Sequence, residues 1–492
     1  MGSGVASPTM DRPSLEPHST ALQVAAAVRS GDVSPSEVLE HYLERIDRLD
    51  PQINAFCLRD DERARAEARA ADDAVVAARR DDTELPPFTG VPVPIKDLYD
   101  VEGWVTGHGS LAVSDEPAAQ DELSVERLRR AGFVVMGKTT TPEFGAISAT
   151  ECARTGITRN PWNLDRTPGG SSGGAAAAVA ADLAPVAHAS DGGGSIRIPA
   201  SCTGLVGLKA SRGRITSRIY GVVGASTNGV VAKDVADSAA LLDVLGVLDT
   251  GSWNVAPPPA RPFRDEVGAD PGRLRVRLCV DNALGLPIDP ECDVAARSVA
   301  DALADLGHDV VEAPPAWPDA GEFLEKFVTI WNCLSVTTPV VDESLLEPQN
   351  AAAFAAARAT DAFAFLGADQ SLQEASRAFV SQFRRSGDDE GSDVFDLLVS
   401  PTTAVQPRQV GTIMDGVDEL PDAPVMNSIP MACYTSIINA TGQPAISVPA
   451  HVSAEGLPVG VQIVAAPWRE DVLVQVASQL ERARPWASLP VL

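Results

Sequence analysis

No run of 18 or more apolar residues occurs in the 492-residue chain, which excludes the kind of helix that spans a bilayer. The N-terminus has no basic segment leading into an apolar one, so no secretory leader is expected. Positive charge is in deficit: 39 Lys and Arg stand against 67 Asp and Glu, a formal charge of −28. A surface of that sign repels nucleic-acid phosphates and anionic lipid, so neither nucleic acid nor membrane is expected as a partner. The seven cysteines are scattered, with no close pair at metal-ligand spacing; they read as reduced core residues of a cytoplasmic protein. Six histidines likewise show no pairing in sequence. No metal and no cofactor is expected.

Lysine is scarcer still. Only five of the 39 basic residues are lysine, and arginine carries the surface charge. Val91, Val93 and Ile95 alternate as in a buried strand and deliver Lys96 at its end. Burial there disfavours the ammonium form, lowers the pKa and makes the amine available as a base. A strand-end lysine that snorkels to solvent is the alternative for this segment.

What the chain does have is a long alternation of helix and strand signals. Ser34-Pro35-Ser36-Glu37 is a capping box with Pro at the first helical position, and Val38, Leu39, Tyr42, Leu43 and Ile46 follow at helical spacing to about residue 50. Residues 59–80 carry charges at i,i+4 spacing, the pattern of a solvated helix. Helices are also predicted over 122–131, 235–248, 292–306, 351–365, 372–385 and 471–484, and strands over 132–138, 274–280, 308–312, 395–400, 445–448 and 459–465. Such alternation is that of an α/β protein. Residues 1–14 read as a tail, and 15–492 as one domain in which the looser helical stretch 314–430 covers the substrate.

The most informative stretch runs from Gly169 to Lys209. Two Ser-bearing Gly-rich turns, Gly169-Gly170-Ser171-Ser172-Gly173-Gly174 and Gly192-Gly193-Gly194-Ser195, bracket an Ala-rich run that can form a buried helix. Successive N–H groups in such a turn make a nest for negative charge, and a serine in the nest can be attacker and donor together. That is equipment for acyl transfer. Flexible linkers are also Gly/Ser-rich, but linkers do not sit in apolar surroundings such as 175–181 and 205–208. Gly170 to Gly174 fits G-x-S-x-G by spacing, yet a loop rather than a strand leads into it, so a nucleophile elbow at Ser172 is rejected. No Gly-Lys-Ser/Thr follows, which rejects a phosphate loop. His188, in the strand predicted before the second turn, reads as a satisfied core histidine.

Lys96 in Val-Pro-Ile-Lys-Asp, the Gly-Gly-Ser171-Ser-Gly-Gly turn, and Ser190-Asp191-Gly-Gly-Gly-Ser195-Ile-Arg197-Ile-Pro199 together resemble the amidase signature family. The resemblance runs more weakly from about residue 20 to the C-terminus. It implies an α/β fold with a large, mixed or parallel twisted sheet sandwiched between helices. It implies a Ser-Ser-Lys triad: Ser195 as nucleophile, Ser171 as bridging serine after a cis peptide bond, Lys96 as base. Backbone N–H groups of Gly192, Gly193, Gly194 and Ser195 would form the oxyanion hole, with Ser172, Ser190, Asp191 and Arg197 supporting the turn. Gly192 departs from the pattern, since many members carry Thr or another side chain there. Phe144, Trp331 and Ile437 are the pocket candidates.

The implied function is a stand-alone serine hydrolase of aryl or alkyl carboxamides, resembling members that cleave aryl amides, nylon oligomers and urethanes; carbamates would be a further substrate class. The alternative is the glutaminase subunit of a tRNA-dependent amidotransferase, although Ile198 stands where such subunits commonly carry Gln. A silent binding protein is a third reading, disfavoured by the intact Lys96, Ser171 and Ser195. The expected partner is a small amide or carbamate; a homodimer is left open.

Overall fold

The first helices form as their capping chemistry dictates. Thr20 and Ser34 accept from the backbone N–H three residues on, while Gln23 and Glu37 reach back, giving helices Ala21–Ser30 and Pro35–Ile53 complete capping boxes. The second buries Val38, Leu39, Tyr42, Leu43 and Ile46 and runs three residues beyond the predicted end, with Pro51 in its last turn and Asn54 as a left-handed cap. The charged segment forms helix Asp61–Asp81, which buries only small or branched side chains, Ala64, Ala68, Val75 and Ala78. The computed structural model describes residues 15–218, 224–383, 394–490 and 492. The predicted tail over residues 1–14 lies outside the described residues.

Two sheets carry the architecture. In a three-stranded sheet, Val134–Thr139 lies between Phe56–Leu58 and Pro92–Lys96, parallel to the latter. The eight-stranded sheet runs Asp309–Glu312, Arg275–Leu278, Leu397–Pro401, Pro458–Ala465, Ala445–Val452, Val206–Lys209, Thr227–Ala232, Val186–Asp191. Its first three strands are mutually parallel and the rest pair antiparallel, so the expected mixed sheet is present with its parallel part at one end. The sheets meet edge to edge, where Pro92–Lys96 packs against Val186–Asp191. That seam is where the chemistry-bearing residues collect.

Helices cover the sheet. Gly173–Ala180 is buried at every residue and packs on both seam strands; its Ala content lets backbone approach backbone. Pro290–Asp305 and Glu470–Ala483 pack on the large sheet through apolar faces. The helical stretch expected after residue 314 holds Ala320–Ser335, Pro348–Ala359, Ala362–Val380 and Ala423–Ala432. The predicted break near 366–371 is helical instead. The chain breaks at Thr360-Asp361, where the Asp361 side chain accepts from Ala364 N–H and caps the next helix. The end of the helix predicted to residue 385 falls partly outside the described residues. No described helix is long and apolar enough to cross a membrane.

Candidate active site

Strand Pro92–Lys96 is buried along its whole length, so its last side chain enters the protein rather than snorkelling out. Lys96 Nζ lies 2.8 Å from Ser171 Oγ, 2.9 Å from Ser172 Oγ and 3.2 Å from Ser190 Oγ. The serines come from different elements. Ser171 follows a cis Gly170–Ser171 peptide bond, Ser172 immediately precedes the Ala-rich helix, and Ser190 sits on the edge strand of the large sheet. Burial lowers the Lys96 pKa from 10.5 to about 7, against the opposing pull of Asp191. The neutral amine is therefore far more accessible near neutral pH than for an exposed lysine.

The second Gly-rich turn is held from below by an ion pair with both members fully buried. Arg197 Nε donates to Asp191 Oδ2 and Nη2 to Oδ1, both at 2.9 Å. Asn439 Nδ2 donates to Asp191 Oδ1 at 2.8 Å, and Arg197 Nη1 donates to Gln462 Oε1 at 2.6 Å. Burial alone would raise the Asp191 pKa; the Arg197 guanidinium outweighs it and holds the carboxyl well below the usual range. Asn439 and Gln462, absent from the sequence-derived set, complete this network. Polarity inside otherwise apolar runs is the signal that could have found them.

The pair fixes the turn through its backbone. Gly194 N–H donates to Asp191 Oδ1 at 2.8 Å and Ile196 N–H to Oδ2 at 3.2 Å. Gly194, expected as a fourth oxyanion donor, is therefore corrected: its N–H is spent on Asp191. Among the described residues the N–H groups of Gly192, Gly193 and Ser195 have no protein acceptor, so three donors are left. Gly194 has φ 130°, and a Cβ there would lie 2.3 Å from Thr435 Oγ1, which is why the turn needs glycine. The Ser195 residue is 8 % exposed, at the floor of a cavity.

Comparison with known proteins shows the family. The amidase profile matches residues 37–474. The chain belongs to the amidase signature family. It is an amidase-family hydrolase acting on amide C–N bonds. A 6-aminohexanoate-cyclic-dimer hydrolase of Paenarthrobacter ureafaciens is 39 % identical over 485 residues, covering 94 % of each chain. A protein of the same name from Pseudomonas sp. (strain NK87) shares the same 39 % and coverage. The solved structure of 6-aminohexanoate cyclic dimer hydrolase complexed with substrate superposes with a TM-score of 0.87 at 37 % identity, covering 95 % of this chain and 98 % of that one.

In this amidase the cavity above Ser195 lies between two helices. Leu324, Phe327, Val328 and Trp331 line it from one helix, at helical spacing, Val425, Ser428, Ile429 and Ala432 from the other, and Ile147 and Ile198 also line it. Among the described residues no charged side chain lines it. Of the three pocket candidates only Trp331 is there. Phe144 packs between His108 and Phe354, with ring centroids 6.5 and 5.8 Å away, while its neighbours Gly145 and Ala146 reach the cavity. Ile437 points instead into the apolar cluster of Phe379, Phe383 and Phe395. His188 is a core residue edge-on to Tyr99 at 4.9 Å, but it is not satisfied: both ring nitrogens lack a partner among the described residues. Burial, then Lys96 and Lys138, lower its pKa to about 3 and keep it neutral.

Proposed function

We propose that this amidase forms an acyl-enzyme on Ser195, with Ser171 and Lys96 as the proton relay, and that it acts on amides with apolar substituents. One observation carries the reading: a fully buried lysine with its pKa lowered to about 7 touches Ser171, beside a serine flanked by unpaired backbone N–H groups. Ser172 Oγ donates to Ser190 O at 3.1 Å, so it can accept from Lys96. With Ser190 Oγ as second acceptor, the lone pair of the neutral amine is left for the Ser171 hydroxyl. Ser171 then has a lone pair to take the Ser195 proton as Ser195 attacks the carbonyl carbon. The developing oxyanion is stabilised by the three N–H groups. In this resting geometry Ser195 Oγ makes no hydrogen bond to a described residue; such contacts commonly tighten only with substrate bound.

Collapse breaks the C–N bond, and the proton held by the relay passes to the departing nitrogen. Water, deprotonated through the same relay, hydrolyses the ester and frees Ser195. The uncharged lining favours alkyl or aryl substituents, and the two relatives named for the 6-aminohexanoate cyclic dimer support an oligoamide with methylene spacers. Carbamates follow by the same chemistry, because the attacked carbonyl still bears a nitrogen leaving group. The same lining weighs against the glutaminase alternative, since among the described residues it offers no cationic or anionic side chain to the charged end of glutamine.

The test is hydrolysis of 6-aminohexanoate cyclic dimer, an aryl anilide and its matched aryl carbamate by wild type and Ser195→Ala. Intact-mass spectra would be taken during turnover. Cleavage by wild type alone, with an acyl adduct on the wild-type chain, is expected. Turnover by Ser195→Ala would refute the assignment. Glutamine hydrolysis appearing only with added partner subunits would favour the amidotransferase reading instead.

A further inference from the structure

The two glycines that open the nest, Gly192 and Gly193, do not owe their identity to backbone conformation, for neither has a positive φ. Space explains the first of them, while a Cβ on the second would make only ordinary contact. A Cβ on Gly192 would lie 3.2 Å from Cζ3 and 3.4 Å from Cη2 of Trp331; on Gly193 it would lie 3.9 Å from the same two atoms. The benzenoid edge of the indole thus fills the place where a side chain at 192 would stand. Its seat is rigid. Trp331 stacks on Phe327 at 5.8 Å and 19°, and Phe327 on Phe323 at 5.8 Å and 21°, an i,i+4 ladder along Ala320–Ser335. Phe323 and Phe327 in turn pack on Ile330, Ala368 and Leu372. Behind the nest, Thr435 Oγ1 donates to Gly193 O at 2.7 Å.

We propose that Trp331 is a specificity-determining residue of this site: its ring, admitted by the absence of a side chain at Gly192, is the wall against which the apolar acyl group of the substrate packs. The inference rests on the Ser195 reading above. It follows from placement. The nest fixes the carbonyl oxygen, Ser195 fixes the carbonyl carbon, and Phe327, Val328 and Trp331 lie along the same cavity wall. An acyl chain extending from that carbon gains apolar contact with each methylene laid on the ring, whereas an acetyl group is too short to use it. A hydrophobic pocket discriminates by roughly 10- to 200-fold per methylene-sized change. Glycine at 192 and tryptophan at 331 therefore act as one unit, and changing either alone disturbs the wall.

The experiment is a double-mutant cycle on the full chain: wild type, Gly192→Ala, Trp331→Ala and the double variant, assayed on the 4-nitroanilides of acetic and hexanoic acid. Ser195→Ala serves as control, and circular dichroism and melting verify that each variant folds. Trp331→Ala is expected to lower kcat/KM at least about tenfold on the hexanoyl compound and less than about threefold on the acetyl compound. Trp331→Phe should keep most of the hexanoyl preference. Gly192→Ala is expected to cost at least about tenfold in the wild-type background and much less beside Trp331→Ala, because the clash is gone. Equal losses on both anilides in folded Trp331→Ala would overturn the proposal. So would additive effects across the cycle with Ser195→Ala inactive, which leaves the Ser195 reading standing. Turnover surviving in Ser195→Ala would overturn that reading, and this inference with it. Should Gly192→Ala fail to fold, the Trp331→Ala and Trp331→Phe comparison decides alone.

Discussion

Replacing Lys96 by Met should separate the stability cost of the buried amine from its use. In the fold its pKa is lowered from 10.5 to about 7, so between those values the unfolded chain binds a proton that the folded chain does not. Stability therefore rises with pH across that window, by about 1.4 kcal/mol per pH unit at the steepest. Below pH 7 both states are protonated and the cost is complete; above 10.5 it vanishes. Lys96→Met carries no such proton. Wild type should gain about 2 kcal/mol on the variant between pH 7 and 9, whatever fixed offset arises from the hydroxyls the methionine leaves unpaired. Urea unfolding of both proteins at pH 7, 8 and 9 reads the difference, in which the other titrating groups cancel to first order. On the proposed relay neutral Lys96 is the working form, so the wild-type kcat/KM should rise with pH to a plateau with its midpoint near 7. Parallel stability curves would show that Lys96 keeps an ordinary pKa and would remove the base from the relay.

Three further changes test the support of the site. A Cβ on Gly145, which has φ 70°, would lie 3.0 Å from Ser171 Oγ and 2.9 Å from Leu98 Cδ1; Gly145→Ala is expected to push Ser171 off Lys96 and cut kcat at least about 100-fold, and near-normal turnover would show that Ser171 need not be so closely placed. Asn439→Leu removes a donor to Asp191 and an acceptor from Arg197, an expected loss of about 2–3 kcal/mol in denaturant titration; a loss under about 1 kcal/mol would mean that Gln462 Oε1 and Thr435 O, which also accept from Arg197, suffice. His188→Leu replaces two unpaired ring nitrogens by an apolar group and should leave stability equal or higher. A fall of more than about tenfold in its kcat/KM would instead give the imidazole a part in the proton path.

The elements of the candidate site were readable in the sequence because the chemistry proposed for them demands unusual residues in fixed order. A lysine after an apolar run, in a chain that otherwise uses arginine, stands out against its own composition. Lys96, Lys138, Lys209 and Lys233 are all buried, so the scarcity of surface lysine was a sound basis for reading the first of them. The Gly-rich turns carried their own signal too, although which N–H faces the ligand was hidden. Gly194 spends its donor on Asp191, and nothing in the string Gly-Gly-Gly-Ser distinguishes the third glycine from the first. Strand Thr227–Ala232 escaped because Asn228 and Gly229 interrupt its apolar pattern, while its pairing with the seam strand Val186–Asp191 supplies the missing specification. The pocket was least legible, for a physical reason. Leu324, Phe327, Val328 and Trp331 at i, i+3, i+4 and i+7 are the pattern of a helix face packed on a core, and a wall that binds an apolar substrate is such a face with its partner left out. Phe144, Trp331 and Ile437 were equivalent by composition; what separates Trp331 is Gly192, in a distant turn, which makes room for its ring. A contact between residues 139 positions apart is information that only the fold supplies. The Gly192–Trp331 pair is accordingly where a change of substrate preference should be sought first, since altering it leaves Lys96, Ser171 and Ser195 in place.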